Sequence, residues 1–171
     1  CLVDLAGGDV AAVLDLRLER SVGPLLERIS SVDDVMLQGS IEVHPSGVHV
    51  LAQPYDLTEL RTATGADVRG LLALLKRSWE VVVLDLGAHL DGASLAALHA
   101  AEHIVLVTAP TIYALRDTRR KLALLDHLGD KAGQVQVVVN EHDRNDELTG
   151  DEIIQQLGVT PGGICLVSVP K

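Results

Sequence analysis

The feature of this sequence that most constrains its fold is a regular alternation of short apolar runs with amphipathic stretches. The apolar runs are about four to six residues long, which is typical of strands that are covered on both faces of a parallel sheet. They predict strands at residues 2–5, 48–52, 81–86, 104–108, 135–139 and 164–169.

The intervening stretches repeat apolar residues at helical spacing. They predict helices at residues 66–77, 91–101, 112–128 and 148–157, and an irregular helical region at 9–40. Asp91 is placed to cap the second of these helices, and Gly129 to end the third. Strands that alternate with helices form βαβ crossovers, so we predict an α/β, doubly wound fold with a mostly parallel sheet and helices on both faces.

The composition of the chain limits the classes of partner that it is expected to bind. The chain of 171 residues has no Phe, 2% aromatic residues and a net charge of -10. Base-stacking platforms need aromatic side chains and duplex binders need a basic face, so nucleic acid is not an expected partner. The densest basic run, at residues 116–121, is interpreted as a solvated helix face. No signal peptide and no apolar run of about 18 residues is present, so we expect a cytoplasmic location.

Polar residues where predicted strands end are the candidates for chemistry, because α/β sheets bind ligands beyond the carboxyl ends of their strands. Four apolar residues precede Asp85, which is the arrangement of a Walker B acid that holds Mg²⁺ beside phosphates. Gly87 then allows the backbone to approach a phosphate closely. The alternative is that Asp85 only caps the following turn.

Asp4 ends the first predicted strand in the same way. Two strand-end carboxylates in one parallel sheet favour a shared metal and phosphate site. Asp9 is interpreted as the cap of the helix that follows.

Asn140 also follows a predicted strand, with Asp143 three residues later. Guanine-binding proteins use Asn-Lys-x-Asp at such a position, but Glu141 stands here in place of the Lys.

His99 and His103 match the spacing of a helical zinc motif, although the predicted helix ends before His103.

The order of these elements resembles the deviant-Walker P-loop ATPases of the MinD/ParA superfamily, nearest the CpaE/TadZ type associated with pilus assembly and septum-site determination. Residues 1–16 resemble the acidic strand and its helix, and residues 79–87 the Walker B strand. Further matching segments are residues 46–54, 100–110, 137–140 and 167–170.

The resemblance implies roles for individual residues. Asp85 would hold Mg²⁺ through water, Asp4 would support that metal or its water, and Asn140 with Pro170 would flank the adenine of ATP. It also implies a cytoplasmic, nucleotide-switched homodimer that positions division, partition or pilus and secretion machinery, at the membrane or cell pole through further segments.

Two departures from the family pattern bear on activity. The phosphate-binding Walker A loop and its strand are not found in residues 1–171, so we expect them upstream and interpret the chain as a single P-loop domain truncated at both ends. Ala6 occupies the position of a second acid that helps to orient the attacking water. A non-hydrolysing scaffold of the same fold, a GTPase and a zinc hydrolase therefore remain alternatives to an ATPase.

Overall fold

The chain folds into two compact units, Cys1–Ala100 and Ala101–Lys171. The structure is a computed structural model and describes residues 1–7, 9–18, 20–53, 62–128, 135–140, 148–159 and 164–166. The units are described separately below.

The described residues of the first unit contain four strands and five α-helices. These are β1 (Leu2–Asp4), α1 (Asp9–Val13), α2 (Gly23–Glu27), α3 (Asp34–Gly39), β2 (Glu42–Val43), β3 (His49–Leu51), α4 (Gly65–Ser78), β4 (Val83–Asp85) and α5 (Gly92–Ala100). A 3-10 turn at Ile29–Ser31 follows α2.

The sheet of the first unit has the strand order β2-β3-β1-β4. Strands β3, β1 and β4 are parallel, with Val3 opposite both Leu51 and Leu84. Strand β2 is antiparallel to β3 and was not predicted, because two residues are too few to show a period. The carboxyl ends of β3, β1 and β4 therefore lie at one edge of this sheet.

Strands β1 and β3 are covered on both faces in the way that continuous apolar strands require, whereas Val83 of β4 is 54% exposed. Val3 and Leu51 lie on one face in a buried cluster with side chains of α2, α3 and α4, such as Leu25, Leu37 and Leu71. Val50 lies on the other face and packs with α1. The Leu and Val core supports the α/β layers without any Phe.

The helix predictions are confirmed in place and differ at their ends. Asp91 caps α5 as predicted, because its Oδ1 accepts the N–H of Ser94 at 2.8 Å. This bond is the main reason that the pKa of Asp91 is lowered. Helix α1 was expected to begin after an Asp9 cap, but Asp9 is its first residue, and it ends at Val13, before Asp15 enters the left-handed region with φ 50°.

The second unit contains β5 (Ile104–Thr108), α6 (Ile112–His127), β6 (Val135–Val139), α7 (Gly150–Leu157) and β7 (Ile164–Leu166). The three strands described in this unit are parallel in the order β5-β6-β7. Val137 and Val139 form a buried cluster with Leu115 of α6 and Ile153 of α7.

The predicted fold class is thus confirmed: the molecule is α/β, and its sheets are parallel except for β2. The prediction that residues 1–171 form one truncated domain stays a prediction. Gly129, Asp143 and Pro170 lie outside the described residues.

Candidate functional site

Asp4 is a buried carboxylate at the carboxyl end of β1, with no exposed surface. Its Oδ1 accepts hydrogen bonds from the N–H groups of Ala6 at 2.8 Å and Gly7 at 3.2 Å. Its Oδ2 has no hydrogen-bond partner in the part of the chain that the structure describes. A buried carboxylate oxygen without a donor is energetically unfavourable, so this atom is suited to a bound cation or water.

Asp85 ends the neighbouring parallel strand and lies directly opposite Asp4 in the register of β1 and β4. Residues opposite each other on adjacent strands share one face, about 4.8 Å apart along the hydrogen-bonding direction. Asp85 is exposed, and its Oδ1 accepts the N–H of Gly87 at 3.2 Å. The pair therefore presents two carboxylates at one sheet edge, one buried and one open to solvent.

Gly87 has a φ of 63°, which favours glycine. A Cβ at this position would lie 3.0 Å from the Cβ of Ala6. The two loops that follow β1 and β4 therefore meet here. The predicted approach of a phosphate to Gly87 stays a prediction.

The residues present fit a magnesium ion. Mg²⁺ prefers oxygen ligands and is usually held by one or two carboxylates together with waters and substrate phosphates. Asp4 and Asp85 supply two carboxylates on one face, and the free Oδ2 of Asp4 supplies an acceptor for a ligand or for its water.

Asn140 lies in the second unit, directly after β6. Its backbone N–H donates to the carbonyl of Thr108, the last residue of β5, at 2.7 Å. A cavity of about 310 Å³ opens at this place. It is lined by Val107, Thr108, Ala109, Ala114, Asp117, Thr118, Lys121 and Asn140.

An ion pair on α6 borders this cavity. The Nζ of Lys121 lies 2.7 Å from the Oδ2 of Asp117, one helical turn away. The hydrogen bond from Lys121 is the largest cause of the lowered pKa of Asp117. The interpretation of residues 116–121 as a solvated face is confirmed for Arg116, Arg119 and Arg120, which are exposed, whereas the side chain of Lys121 is 22% exposed and paired.

The zinc motif is not formed on one helix. Helix α5 ends at Ala100, between His99 and His103. Across the described ranges, no group of three or more His, Cys, Asp and Glu residues could hold a metal ion. Cys1 is a free thiol.

Comparison with solved structures identifies the fold. A ParA family ATPase from Chlorobium tepidum superposes with a TM-score of 0.82 at 19% identity, covering 92% of this chain and 67% of the other. The septum site-determining protein MinD of Pyrococcus horikoshii, complexed with Mg-ADP, gives 0.74 at 19% identity, with 93% and 65% covered. The fold is that of the ParA and MinD ATPases.

A third chain with the MinD/ParA fold comes from the MinC:MinD cell division protein complex of Aquifex aeolicus. It superposes with a TM-score of 0.71 at 18% identity, covering 92% of this chain and 64% of its own length. This chain thus spans about two thirds of the length of these solved structures. No protein-family model matches the sequence, and no curated protein matches it.

Within this MinD/ParA fold, the structure adds one residue that the sequence did not single out. Gln53 follows β3 and is only 2% exposed, and its Oε1 has no partner among the described residues. Glutamine is usually a surface residue, so its type alone gave no signal. Its position two residues after a strand of the same parallel sheet was the available clue.

No described helix has the length and apolar character that a membrane span needs.

Proposed function

We propose that this chain belongs to an ATP-binding protein of the MinD/ParA superfamily, nearest the CpaE/TadZ type, that acts as a nucleotide-switched spatial organiser. The observation that carries the proposal is the pair of carboxylates, Asp4 and Asp85, in register on neighbouring strands of a MinD/ParA fold. A MinD with this fold is known in complex with Mg-ADP, which supports Mg²⁺ and an adenine nucleotide as ligands.

In this proposal Asp85 binds Mg²⁺ through water, because it is the exposed member of the pair. Asp4 accepts from the same hydration shell through its free Oδ2, while the N–H groups of Ala6 and Gly7 fix its Oδ1. When bound, Mg²⁺ neutralises phosphate charge during transfer of the terminal phosphoryl group to water. Asp4 would need little reorganisation to receive the hydrated ion, because backbone N–H groups already hold it.

Asn140 and Pro170 are proposed to flank the adenine. Asn140 supports this role by its place at the carboxyl end of β6, beside a cavity that the buried Thr108 also lines. The proposed role of Pro170 rests on the sequence resemblance alone.

ATP is proposed to close a homodimer, and hydrolysis to release it. The MinC:MinD complex supports protein partners from a division apparatus, and the sequence resemblance extends this to polar, partition or pilus and secretion machinery. A cytoplasmic location with peripheral association at the membrane or cell pole completes the proposal.

The proposal is tested by nucleotide binding to the full-length natural protein with and without Mg²⁺. ATP binding that strengthens with Mg²⁺ and that Asp85→Asn weakens supports it. Asp34→Asn is a matched control, because Asp34 is an exposed acid on α3. A protein that binds neither ATP nor GTP contradicts the proposal, and a preference for GTP replaces ATP with the guanine alternative.

A non-hydrolysing scaffold is the second candidate, and Ala6 favours it. Ala6 carries no carboxylate and lies against Gly87, where the resemblance implies an acid that orients water. ATP-dependent dimers without phosphate release select this candidate.

A further inference from the structure

We infer that the outer face of α6 is a docking surface for an acidic protein. This face consists of Ile112, Tyr113, Arg116, Arg119, Arg120 and Leu124. The inference rests on the proposed function, because it locates one of the protein partners proposed there, but it uses no residue of the nucleotide site.

The six residues of the outer face lie on one side of the helix. At 3.6 residues per turn they fall within about 140° of its circumference, on the other side from the buried Leu115, Thr118 and Leu125. All six are exposed. The two acids of α6, Asp117 and Asp126, lie at the margins of this face. Helix α6 therefore packs through one side and presents the other to solvent.

Three of the exposed side chains on this face are large and apolar. Tyr113 is 87% exposed, Ile112 66% and Leu124 37%. Single exposed apolar residues are normal, but several on one face form the kind of patch that marks an interaction site. Tyrosine is also among the residue types that most often anchor protein interfaces.

The same face carries positive charge in an acidic chain. Arg116, Arg119 and Arg120 are close together on the helix, whereas the chain as a whole has 24 acidic and 14 basic residues. None of the three arginines forms an ion pair with another of the described residues. Asp117, the acid within this stretch, pairs with Lys121 instead. The arginines are thus available to carboxylates from outside the molecule.

These features together specify the chemistry of the occupant. The arginines attract carboxylates, and the apolar side chains contribute only against a partner that buries them, so an acidic protein segment with apolar side chains between its carboxylates fits both. A nucleic acid backbone would bury neither Ile112 nor Leu124, and the net charge of -10 repels a long polyanion. A symmetric second copy does not suit this face, because it would set arginines against arginines.

The experiment uses the full-length natural protein and a synthetic peptide of about 18 residues, with leucine at every third or fourth position and glutamate elsewhere. Fluorescence anisotropy is expected to show binding that weakens as salt is raised. Arg116→Glu and Tyr113→Ser are each expected to weaken it about 10-fold, in the range of interface anchors. Arg69→Glu is the matched control, because Arg69 is an exposed arginine on another helix, α4, and its binding should be unchanged.

Two further probes separate the other occupants. The same peptide with lysine in place of glutamate, and a DNA duplex, are both expected to bind more weakly than the acidic peptide. Tighter binding of the duplex, equal binding of the two peptides, or unchanged binding by Arg116→Glu overturns the inference. Tyr113→Cys is expected to react with a water-soluble maleimide as fast as Arg69→Cys; much slower labelling shows that another segment or copy covers the face, and also overturns it.

Failure of this inference is distinguishable from failure of the proposed function. The variants at Tyr113 and Arg116 keep Asp4, Asp85 and Asn140, so they are expected to bind ATP as the natural protein does. ATP binding without selectivity for the acidic peptide contradicts only the docking surface. Selective peptide binding by a protein that binds neither ATP nor GTP contradicts the proposed nucleotide site instead.

Discussion

Asp4 and Asp85 lie directly opposite each other on parallel strands, yet one is buried and the other is exposed. Two like charges at neighbouring strand ends repel each other and are stabilised by a cation between them. The difference in burial leaves the carboxylate of Asp85 open to solvent, while that of Asp4 is held by backbone N–H groups.

Two substitutions at Asp4 separate its structural task from its binding task. Asp4→Asn keeps an oxygen for the N–H groups of Ala6 and Gly7 but removes the charge, so we expect the fold to be retained and Mg²⁺ binding to weaken. Asp4→Ala removes the acceptor as well and is expected to lower the free energy of unfolding by about 1–3 kcal/mol. Urea denaturation and Mg²⁺ titration measure the two effects; equal stability of the two variants contradicts this assignment.

The contact between Gly87 and Ala6 is tested by a double-mutant cycle. Gly87→Ala places a Cβ 3.0 Å from that of Ala6 on a backbone with φ 63°, so we expect a loss of about 1–3 kcal/mol in stability. Ala6→Gly in the same chain relieves the clash but not the backbone strain. Partial recovery in thermal denaturation is therefore expected, and full additivity of the two changes excludes the contact.

All the described strands except β2 are predictable from sequence because they are continuous apolar runs, the pattern of covered parallel strands. The expected cover is not complete, because Val83 of β4 and Val105 and Val107 of β5 are exposed. Asp4 and Asp85 are predictable as strand-end acids, because each follows an apolar run. Their strands are parallel, so both acids lie at one edge of the sheet. Their direct opposition is a matter of register, which period and propensity do not specify for continuous apolar runs.

Strand β2 and the burial of Gln53 could not be predicted from the sequence, because both depend on tertiary contacts. Strand β2 exists because Glu42 and Val43 pair with β3, and Gln53 is buried although its type is usually exposed. The Asp117–Lys121 ion pair is different, because its i,i+4 spacing could have been recognised in the sequence. It was not predicted, because Lys121 was assigned to the basic run at residues 116–121.

The start of α4 is expected to make stability depend on acid. Thr64 and Asp67 form a reciprocal capping box, and the side-chain hydrogen bond from Thr64 is the largest cause of the lowered pKa of Asp67. A folded pKa below the unfolded one means that the contribution is present above the unfolded pKa and is lost as pH falls through the folded pKa. Because the hydrogen bond between Thr64 and Asp67 is exposed, solvent screening limits the effect to less than about 1 kcal/mol.

This pH dependence is measured by urea denaturation of the natural chain and Asp67→Asn between pH 6 and pH 2. The stability difference between them is expected to shrink as pH falls. Thr64→Ala removes the donor and should reduce the same pH dependence; an unchanged profile in that variant would show that another group causes it.

The packing of α4 on α5 is expected to tolerate no side chain at Gly65. A Cβ there would lie 2.8 Å from the carbonyl oxygen of Gly92 and 3.3 Å from the Cβ of Ala96, so the backbone of α5 must shift. Gly65→Ala is therefore expected to lower the free energy of unfolding by about 1–3 kcal/mol, as overpacking does.

Gly92→Ala is a matched control, because Gly92 is also the first residue of its helix but a Cβ there meets nothing within 4 Å. Alanine at position 92 should leave stability unchanged or raise it slightly, since it restricts the unfolded chain. Urea denaturation of both variants decides the point, and equal effects of the two substitutions contradict a close contact between α4 and α5 at Gly65.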